Sequence, residues 1–220
     1  MGFRHGRAYP GRGSRNVTGA RRLAWQDKAE TEITPVTDDK VSAALFERLV
    51  LPYADNAYNL ARWLTRNDAD AEDVMQEALL RAYRFVGGFS GDNPRAWLLS
   101  IVRNACFTWI KRNRPRDMVP IGEDEGDTLG TIVPLWAAEP VGADQMMERK
   151  ADRVQLDRLM EAMPAEGREV LVLRELEELS YKDIAEIIGV PIGTVMSRLA
   201  RARQRLQTDW QRAAARGRPA

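Results

Sequence analysis

Acidic side chains cluster in the segment DADAEDVMQEALLRAYR, where their types and spacing could support chemistry. Helical spacing would put Asp70, Asp73 and Glu77 on nearly one face, with Gln76 beside them. Neighbouring carboxylates can hold Mg²⁺ or move protons, so one hypothesis is a helical nucleic-acid enzyme that uses these acids with Mg²⁺. Two alternatives are a solvated acidic face at the positive end of a helix dipole and an acidic docking face for a basic partner.

The chain has very few residues that could support histidine or cysteine chemistry. His5 is the only histidine and lies in a leader rich in Arg and Gly, which leaves almost no basis for a His-based catalytic or metal site. Cys106 is the only cysteine, so no internal disulfide can form, and among its apolar neighbours we expect an inert thiol. We therefore expect no metal and no cofactor.

The segment YKDIAEIIGVPIGTVMSRLARARQRL is typical of a helix-turn-helix, with a sharp turn at Gly189. The buried stripe of its second helix would comprise Val195, Leu199, Ala202 and Leu206. In this motif the second helix lies in the DNA major groove, where Arg can bind guanine edges or phosphates bidentately. The alternative is a solvated Arg face on an ordinary helical hairpin. The residues expected to face DNA are Thr194, Met196, Ser197, Arg198, Arg201, Arg203 and Arg205.

A second basic segment, PRAWLLSIVRNACFTWIKRNRP, interleaves aromatic and basic residues. Trp97, Ile101, Ala105 and Trp109 recur at core spacing, so most of its aromatics should be buried. Core packing does not account for the basic residues at the end of this helix, which are suited to bind along the phosphates of a nucleic-acid strand. The loop GGFSGDN before it follows a helix and is not followed by Lys, so a base extruded from the stack fits it better than a nucleotide phosphate.

The elements that must position these groups are all helical, because no segment reads convincingly as a strand. The predicted architecture is two small all-α domains joined by a flexible acidic linker, the second domain being the helix-turn-helix. No apolar run reaches the length of about 20 residues that spans a bilayer. The predicted divisions are a disordered basic leader 1–38, a domain 39–115, a linker 116–148, a domain 149–210 and a disordered tail 211–220.

Together these segments resemble the extracytoplasmic-function sigma factors of bacterial RNA polymerase, over about Ala43–Pro115 and Val154–Gln207. The acidic segment is similar to the part of region 2 that docks on the polymerase, the aromatic and basic helix is similar to the promoter-melting helix, and the C-terminal segment is similar to region 4. The order of these motifs is more specific than any one of them. The net charge of +1 agrees, because an acidic face for polymerase and basic helices for DNA offset each other.

The resemblance implies an alternative sigma factor without enzymatic activity, whose partners are core RNA polymerase, promoter DNA and an anti-sigma factor, in the cytoplasm. The polymerase contacts would be Asp70, Asp73, Gln76 and Glu77. The downstream promoter element would contact Phe89, Asp92, Asn93, Arg103, Asn104, Lys111 and Arg112. Met196 departs from the family, in which many members carry Lys or Arg at that position. The main alternative is a two-domain regulator with a helix-turn-helix like that of the LuxR-type proteins.

Overall fold

The computed structural model describes residues 39–118 and 143–216, and all regular structure within these stretches is helical. The helices are α1 Asp39–Leu49, α2 Ala54–Thr65, α3 Asp68–Phe85, α4 Pro94–Asn113, α5 Ala143–Ala162, α6 Ala165–Leu171, α7 Tyr181–Ile188 and α8 Ile192–Arg216. Short 3₁₀ turns lie at Leu51–Tyr53, Val86–Gly88 and Pro115–Met118, and a π-helical turn at Val172–Leu176. The all-α prediction is confirmed. We call α1–α4 the N-terminal bundle and α5–α8 the C-terminal bundle.

Asparagine caps start the two longest helices of the N-terminal bundle. The side chain of Asn67 accepts a hydrogen bond from the backbone N–H of Asp70 at 3.1 Å, and Asn93 accepts one from Ala96 at 3.0 Å. Asn67 is extended, as is typical of an N-cap. Aspartate is also a common capping residue, but Asp68 and Asp70 lie within the first turn of the helix. Pro94 occupies the first turn of α4, where its missing N–H is no loss.

The core of the N-terminal bundle forms where α2, α3 and α4 pack against one another. This core includes Leu60 and Leu64 of α2 and the small residues Ala78 and Ala82 of α3, and all four are essentially inaccessible to solvent. Small residues such as these alanines let packed helices approach closely. The predicted stripe of α4 is buried at Trp97, Ile101 and Ala105, while Trp109 is only half-buried. The packing holds α3 and α4 side by side, so their outer faces form one surface.

The C-terminal bundle contains the predicted helix-turn-helix, formed by α7 and α8. Ser180 caps α7, and Gly189 ends it in the left-handed conformation at φ 71°, which glycine adopts at little cost. The predicted stripe of α8 is buried at all four positions, Val195, Leu199, Ala202 and Leu206. Its opposite face, which begins at the exposed Ile192, lies in solvent.

The two bundles pack directly on each other, which the sequence did not indicate. Helix α6 contacts α2, and α7 contacts α4, so one continuous core includes residues of both bundles. Of the linker predicted at 116–148, the described parts are a 3₁₀ turn and the first residues of α5, which begins at Ala143. The predicted leader and the rest of the linker lie outside the described residues. Within the described ranges, no helix combines the length and the apolar composition that a membrane crossing needs.

Candidate nucleic-acid and protein interfaces

The acidic residues of α3 lie where the sequence predicted, but they do not form one uniform cluster. Asp73, Gln76 and Glu77 are exposed, and Glu77 pairs with Arg81 one turn later at 3.3 Å. Asp70 is partly buried and lies 3.7 Å from the guanidinium of Arg114 at the end of α4. No group of three or more potential ligands that could hold a metal ion is present in the part of the chain that the structure describes. The exposed acids of this face are suited to contact a basic partner.

A groove of about 740 Å³ lies between α3 and α4 and continues to the 3₁₀ turn after α4. It brings together residues predicted for two different partners, Glu77 for polymerase and Asn104 and Lys111 for DNA. The other lining residues are Leu80, Arg81, Arg84, Phe85, Phe107, Thr108 and Met118. Cationic side chains rim a partly aromatic floor, which is the combination that binds unstacked bases and their phosphates. Arg112 is exposed on the same helix and does not line the groove.

The predicted base-capturing loop before α4 is partly occupied by its own contacts. Phe89 is half-buried against Trp97, with the ring centroids 4.9 Å apart, while Asp92 is exposed. Asn93 caps α4 through its oxygen and donates from its amide nitrogen to Asp183 of α7 at 3.2 Å. Both hydrogen-bonding ends of Asn93 are thus engaged in this arrangement of the bundles.

Ion pairs join α4 to the C-terminal bundle. Arg103, predicted to contact the promoter, donates to the fully buried carboxylate of Glu169. Arg95, in the first turn of α4, donates to Glu177 at 2.6 Å, and Asn56 of α2 donates to the same carboxylate at 2.6 Å. Burial raises the pKa of Glu169, against the opposing influence of Arg103. Helix α4 is therefore held by buried acids of the other bundle.

Arginines also cap helix ends across the interface between the bundles. Arg66, at the end of α2, donates to the carbonyl of Glu161 at the end of α5 at 2.7 Å. Arg168 of α6 donates to the same carbonyl at 3.0 Å and reaches the carbonyl of Leu64 at 3.5 Å. Burial, together with the nearby Arg66, lowers the pKa of Arg168 to about 10. Each bundle thus supplies a cation to the negative end of a helix in the other.

Sequence reasoning missed the acids of this interface, although a signal was present. Ala165, Glu169, Leu173 and Glu177 follow one another at intervals of four residues, and all four are buried. Two acids on an otherwise apolar helical stripe must find cationic partners, because an unpaired buried carboxylate costs several kcal/mol. The pattern could have indicated a docking surface, but it could not have named Arg103 and Arg95 as the partners.

The predicted DNA-facing residues of α8 divide into two groups. Met196 and Ser197 are exposed and Thr194 is half-buried, all near the start of the helix. Two of the arginines instead pair within the C-terminal bundle, Arg198 with Glu166 at 3.2 Å and Arg203 with Glu175 at 2.8 Å. The other two also have contacts: Arg201 donates to the carbonyl of Ser197 at 3.3 Å, and Arg205 lies 3.7 Å from Asp209. The start of α8 therefore presents few charges, and most of the charge lies further along the helix.

Comparison with protein families matches both bundles to one family. The model for Sigma-70 region 2 matches residues 49–116, and the model for Sigma-70, region 4 matches residues 153–206. The chain is 33% identical over 169 residues to the RNA polymerase sigma-H factor of Pseudomonas aeruginosa, covering 76% of this chain and 86% of that protein. It is 32% identical over 177 residues to the ECF RNA polymerase sigma factor SigE of Mycolicibacterium smegmatis, covering 80% of this chain and 66% of that protein.

Solved structures give the same result for the fold. The sigma factor RpoE of Bartonella quintana, solved in complex with the anti-sigma factor NepR, matches with a TM-score of 0.54 at 26% identity. That match covers 76% of this chain and 96% of the other. CnrH, solved in complex with the cytosolic domain of CnrY, matches the fold with a TM-score of 0.50 at 22% identity.

Proposed function

Because the chain belongs to the extracytoplasmic-function sigma factors of the sigma-70 family, we propose how its surfaces divide the work of transcription initiation. The protein is an alternative sigma factor that binds core RNA polymerase, directs it to specific promoters and assists their melting. The observation that carries this conclusion is the presence of both family regions, in order, on one chain. Sigma factors are not enzymes, so the Mg²⁺ hypothesis is excluded, and no comparison supports the LuxR-type alternative.

We assign polymerase binding to the exposed face of α3. Asp73, Gln76 and Glu77 face solvent on a helix that Asn67 caps and the bundle core holds in place. An exposed acidic face has no role in the folding of the bundle, and it complements a basic surface on another protein. Asp70 lies at the margin of this face, where it supports Arg114.

The melted strand of the downstream element would enter the groove between α3 and α4. Asn104 can read a base edge, Lys111 and Arg112 can bind phosphates, and Phe107 offers a ring for stacking. Trapping unstacked bases offsets the few kcal/mol that unstacking costs per step. The loop around Phe89 and Asp92 lies at the start of α4, where an extruded base could replace Phe89 on Trp97.

Promoter binding would require the two bundles to separate. Arg103 and Asn93 cannot bind DNA while they pair with Glu169 and Asp183. We infer that this arrangement is the one that the protein has before it engages a promoter. Polymerase binding would draw region 2 and region 4 apart, with residues 39–115 and 149–210 as the two domains and 116–148 as the tether between them.

An anti-sigma factor would act on the same transition. The sigma factor RpoE of Bartonella quintana has been solved bound to an anti-sigma factor. A protein that binds both bundles of this chain at once would keep them packed against each other and so prevent their separation. The place of action would be the cytoplasm, where the polymerase works.

Run-off transcription from genomic fragments, with core polymerase and with or without this protein, tests the proposal directly. New transcripts that share a two-part upstream sequence are the expected result. Asp73→Arg should weaken capture of core polymerase by about tenfold or more, because it sets like charges against each other. Asp55→Arg, a matched reversal at an exposed acid of α2, should leave capture unchanged. Binding of duplex DNA by the protein alone, with no new transcripts, would instead support the regulator alternative.

A further inference from the structure

The start of α8 carries a pair of exposed apolar side chains. Ile192 is 46% exposed and Met196 is 51% exposed, and residues four apart lie on one face of a helix. Large apolar groups this exposed gain nothing from the fold of their own bundle. Their place matters, because the N-terminal residues of the second helix of this motif are those that contact base edges.

The first turn of α8, residues 192–195, contains no charged side chain that could recognise a base. The nearest arginine along the helix, Arg198, is directed to Glu166 of α6. What remains beside the pair are the hydroxyl groups of Thr194 and Ser197, which can bond to any base. Because these hydroxyl groups do not discriminate between bases, Ile192 and Met196 can distinguish one base from another only by contact with an apolar group on that base.

Gly193 gives a second, independent indication that a molecule approaches closely here. A Cβ built on Gly193 would meet nothing within 4 Å, so packing does not require glycine at this position. Its backbone is not left-handed either, since Gly189 is the glycine with positive φ in the described ranges. The fold itself therefore does not require glycine here, and a close approach of DNA to the backbone would account for it.

We propose that Ile192 and Met196 read the C5-methyl group of thymine in the upstream promoter element. Thymine is the one base that presents a methyl group in the major groove, and apolar side chains recognise it by contact. The inference rests on the proposed function, because it requires α8 to enter promoter DNA. It assigns specificity at this end of the helix to apolar contact with a T·A pair, in place of the Arg–guanine pairing that the arginine-rich sequence suggests.

The test uses a library of duplexes whose upstream region is randomised, copied either with thymidine or with deoxyuridine, which lacks only the methyl group. Holoenzyme made from core polymerase and this protein selects from both libraries. In the thymidine library we expect enrichment of T at one or two positions, by about fourfold for each methyl group buried. In the deoxyuridine library the enrichment at those positions should disappear while the rest of the selected sequence is unchanged.

Substitutions assign the effect to its residues. Met196→Ala and Ile192→Ala should each abolish the methyl-dependent enrichment at one position in the thymidine library. Val154→Ala, which truncates another exposed apolar side chain of the C-terminal bundle, should preserve it. Equal enrichment in the two libraries, or enrichment that survives in both α8 variants, overturns the inference. Failure of the holoenzyme to select any sequence would count against the proposed function itself, so the two failures are distinguishable.

Discussion

At the scale of single residues, the buried acids Glu169 and Glu177 determine how the bundles meet. Each carboxylate is almost inaccessible to solvent and is paired with an arginine of α4. Desolvation of a buried ion pair consumes much of what the pairing contributes, so such contacts add little net stability. On separation, all four charged groups return to water. These ion pairs therefore oppose separation of the bundles less than well-packed apolar side chains in the same places would.

Glu169 gives a prediction of pH dependence. Burial raises its pKa in the folded protein, with Glu166 acting in the same sense and Arg103 and Arg198 acting against it. The folded state therefore binds a proton more readily than the unfolded chain, whose Glu pKa is about 4.3. The free energy of unfolding of the wild type, relative to Glu169→Gln, should be greatest below that pH and should fall as the pH rises through the raised folded value.

Urea denaturation of both proteins across a series of pH values measures this difference. The expected fall is about 1.4 kcal/mol for each pH unit that separates the two pKa values. Glutamine keeps an acceptor for Arg103, so the variant should still fold. A difference that grows with pH would mean that pairing with Arg103 outweighs burial and that the pKa is lowered.

The roles of individual side chains could be predicted from sequence only where the partner is local. The exposure of Asp73, Gln76 and Glu77 follows from helical spacing within one segment. The pairing of Arg103 with Glu169 joins residues 66 positions apart, and no periodicity carries that information. The sequence pattern around a basic residue on a helix is the same whether its partner is a phosphate or a distant carboxylate. For this reason the sequence led to the assignment of Arg103 to DNA alone.

At the scale of elements, the turn between α7 and α8 depends on Gly189. Its φ of 71° is left-handed, and its N–H donates to the carbonyl of Ala185 at 3.0 Å. A Cβ in this conformation costs about 1–2 kcal/mol, so Gly189→Ala should lower the free energy of unfolding by about that amount. Gly193→Ala is the matched control, because that position has open space and ordinary backbone, and its stability should be unchanged or slightly higher. Equal losses in thermal or urea unfolding of the two variants would contradict this role for Gly189.

Helix identity was predictable, whereas details of helix ends and irregular turns were not. Pro94 and Gly189 mark their boundaries through backbone chemistry that acts within a few residues. Asn67 was overlooked as a cap because two aspartates follow it, and only its extended backbone distinguishes it. The π-helical turn at Val172–Leu176 follows α6 without a change in apolar spacing, so periodicity could not show it.

At the scale of the whole molecule, the arrangement in which the two bundles pack on each other, which we call the closed arrangement, would exclude promoter binding under the proposed function. In the closed arrangement, the guanidinium of Arg103 donates to Glu169 and the amide nitrogen of Asn93 donates to Asp183. The same donor groups would have to contact DNA. A chain with a net charge of +1 can thus neutralise part of its own DNA-binding surface. Under the proposed function, DNA binding by the isolated protein should therefore be weak, and core polymerase should strengthen it by separating the bundles.

A covalent bridge across the interface tests whether opening is required. Asn56 of α2 donates to Glu177 of the C-terminal bundle at 2.6 Å, and the exposed Glu178 follows Glu177 in the chain. Neither Asn56 nor Glu178 belongs to the proposed DNA or polymerase surfaces. In the variant Asn56→Cys/Glu178→Cys, a bismaleimide should join the bundles. Cys106 does not compete for the reagent, because it is buried and burial raises its pKa, which keeps the thiol protonated.

Before treatment this double variant should support promoter-specific run-off transcription with core polymerase, because Asn56→Cys removes one hydrogen bond to Glu177 and so only loosens the closed arrangement. After bridging, transcription should fall in proportion to the fraction of molecules that are bridged. Each single-cysteine variant, treated in the same way, should keep its activity, since one maleimide adduct cannot join the bundles. If fully bridged protein still initiated from its promoters, the closed arrangement would be compatible with promoter binding, and the contacts of Arg103 and Asn93 with DNA would have to be abandoned.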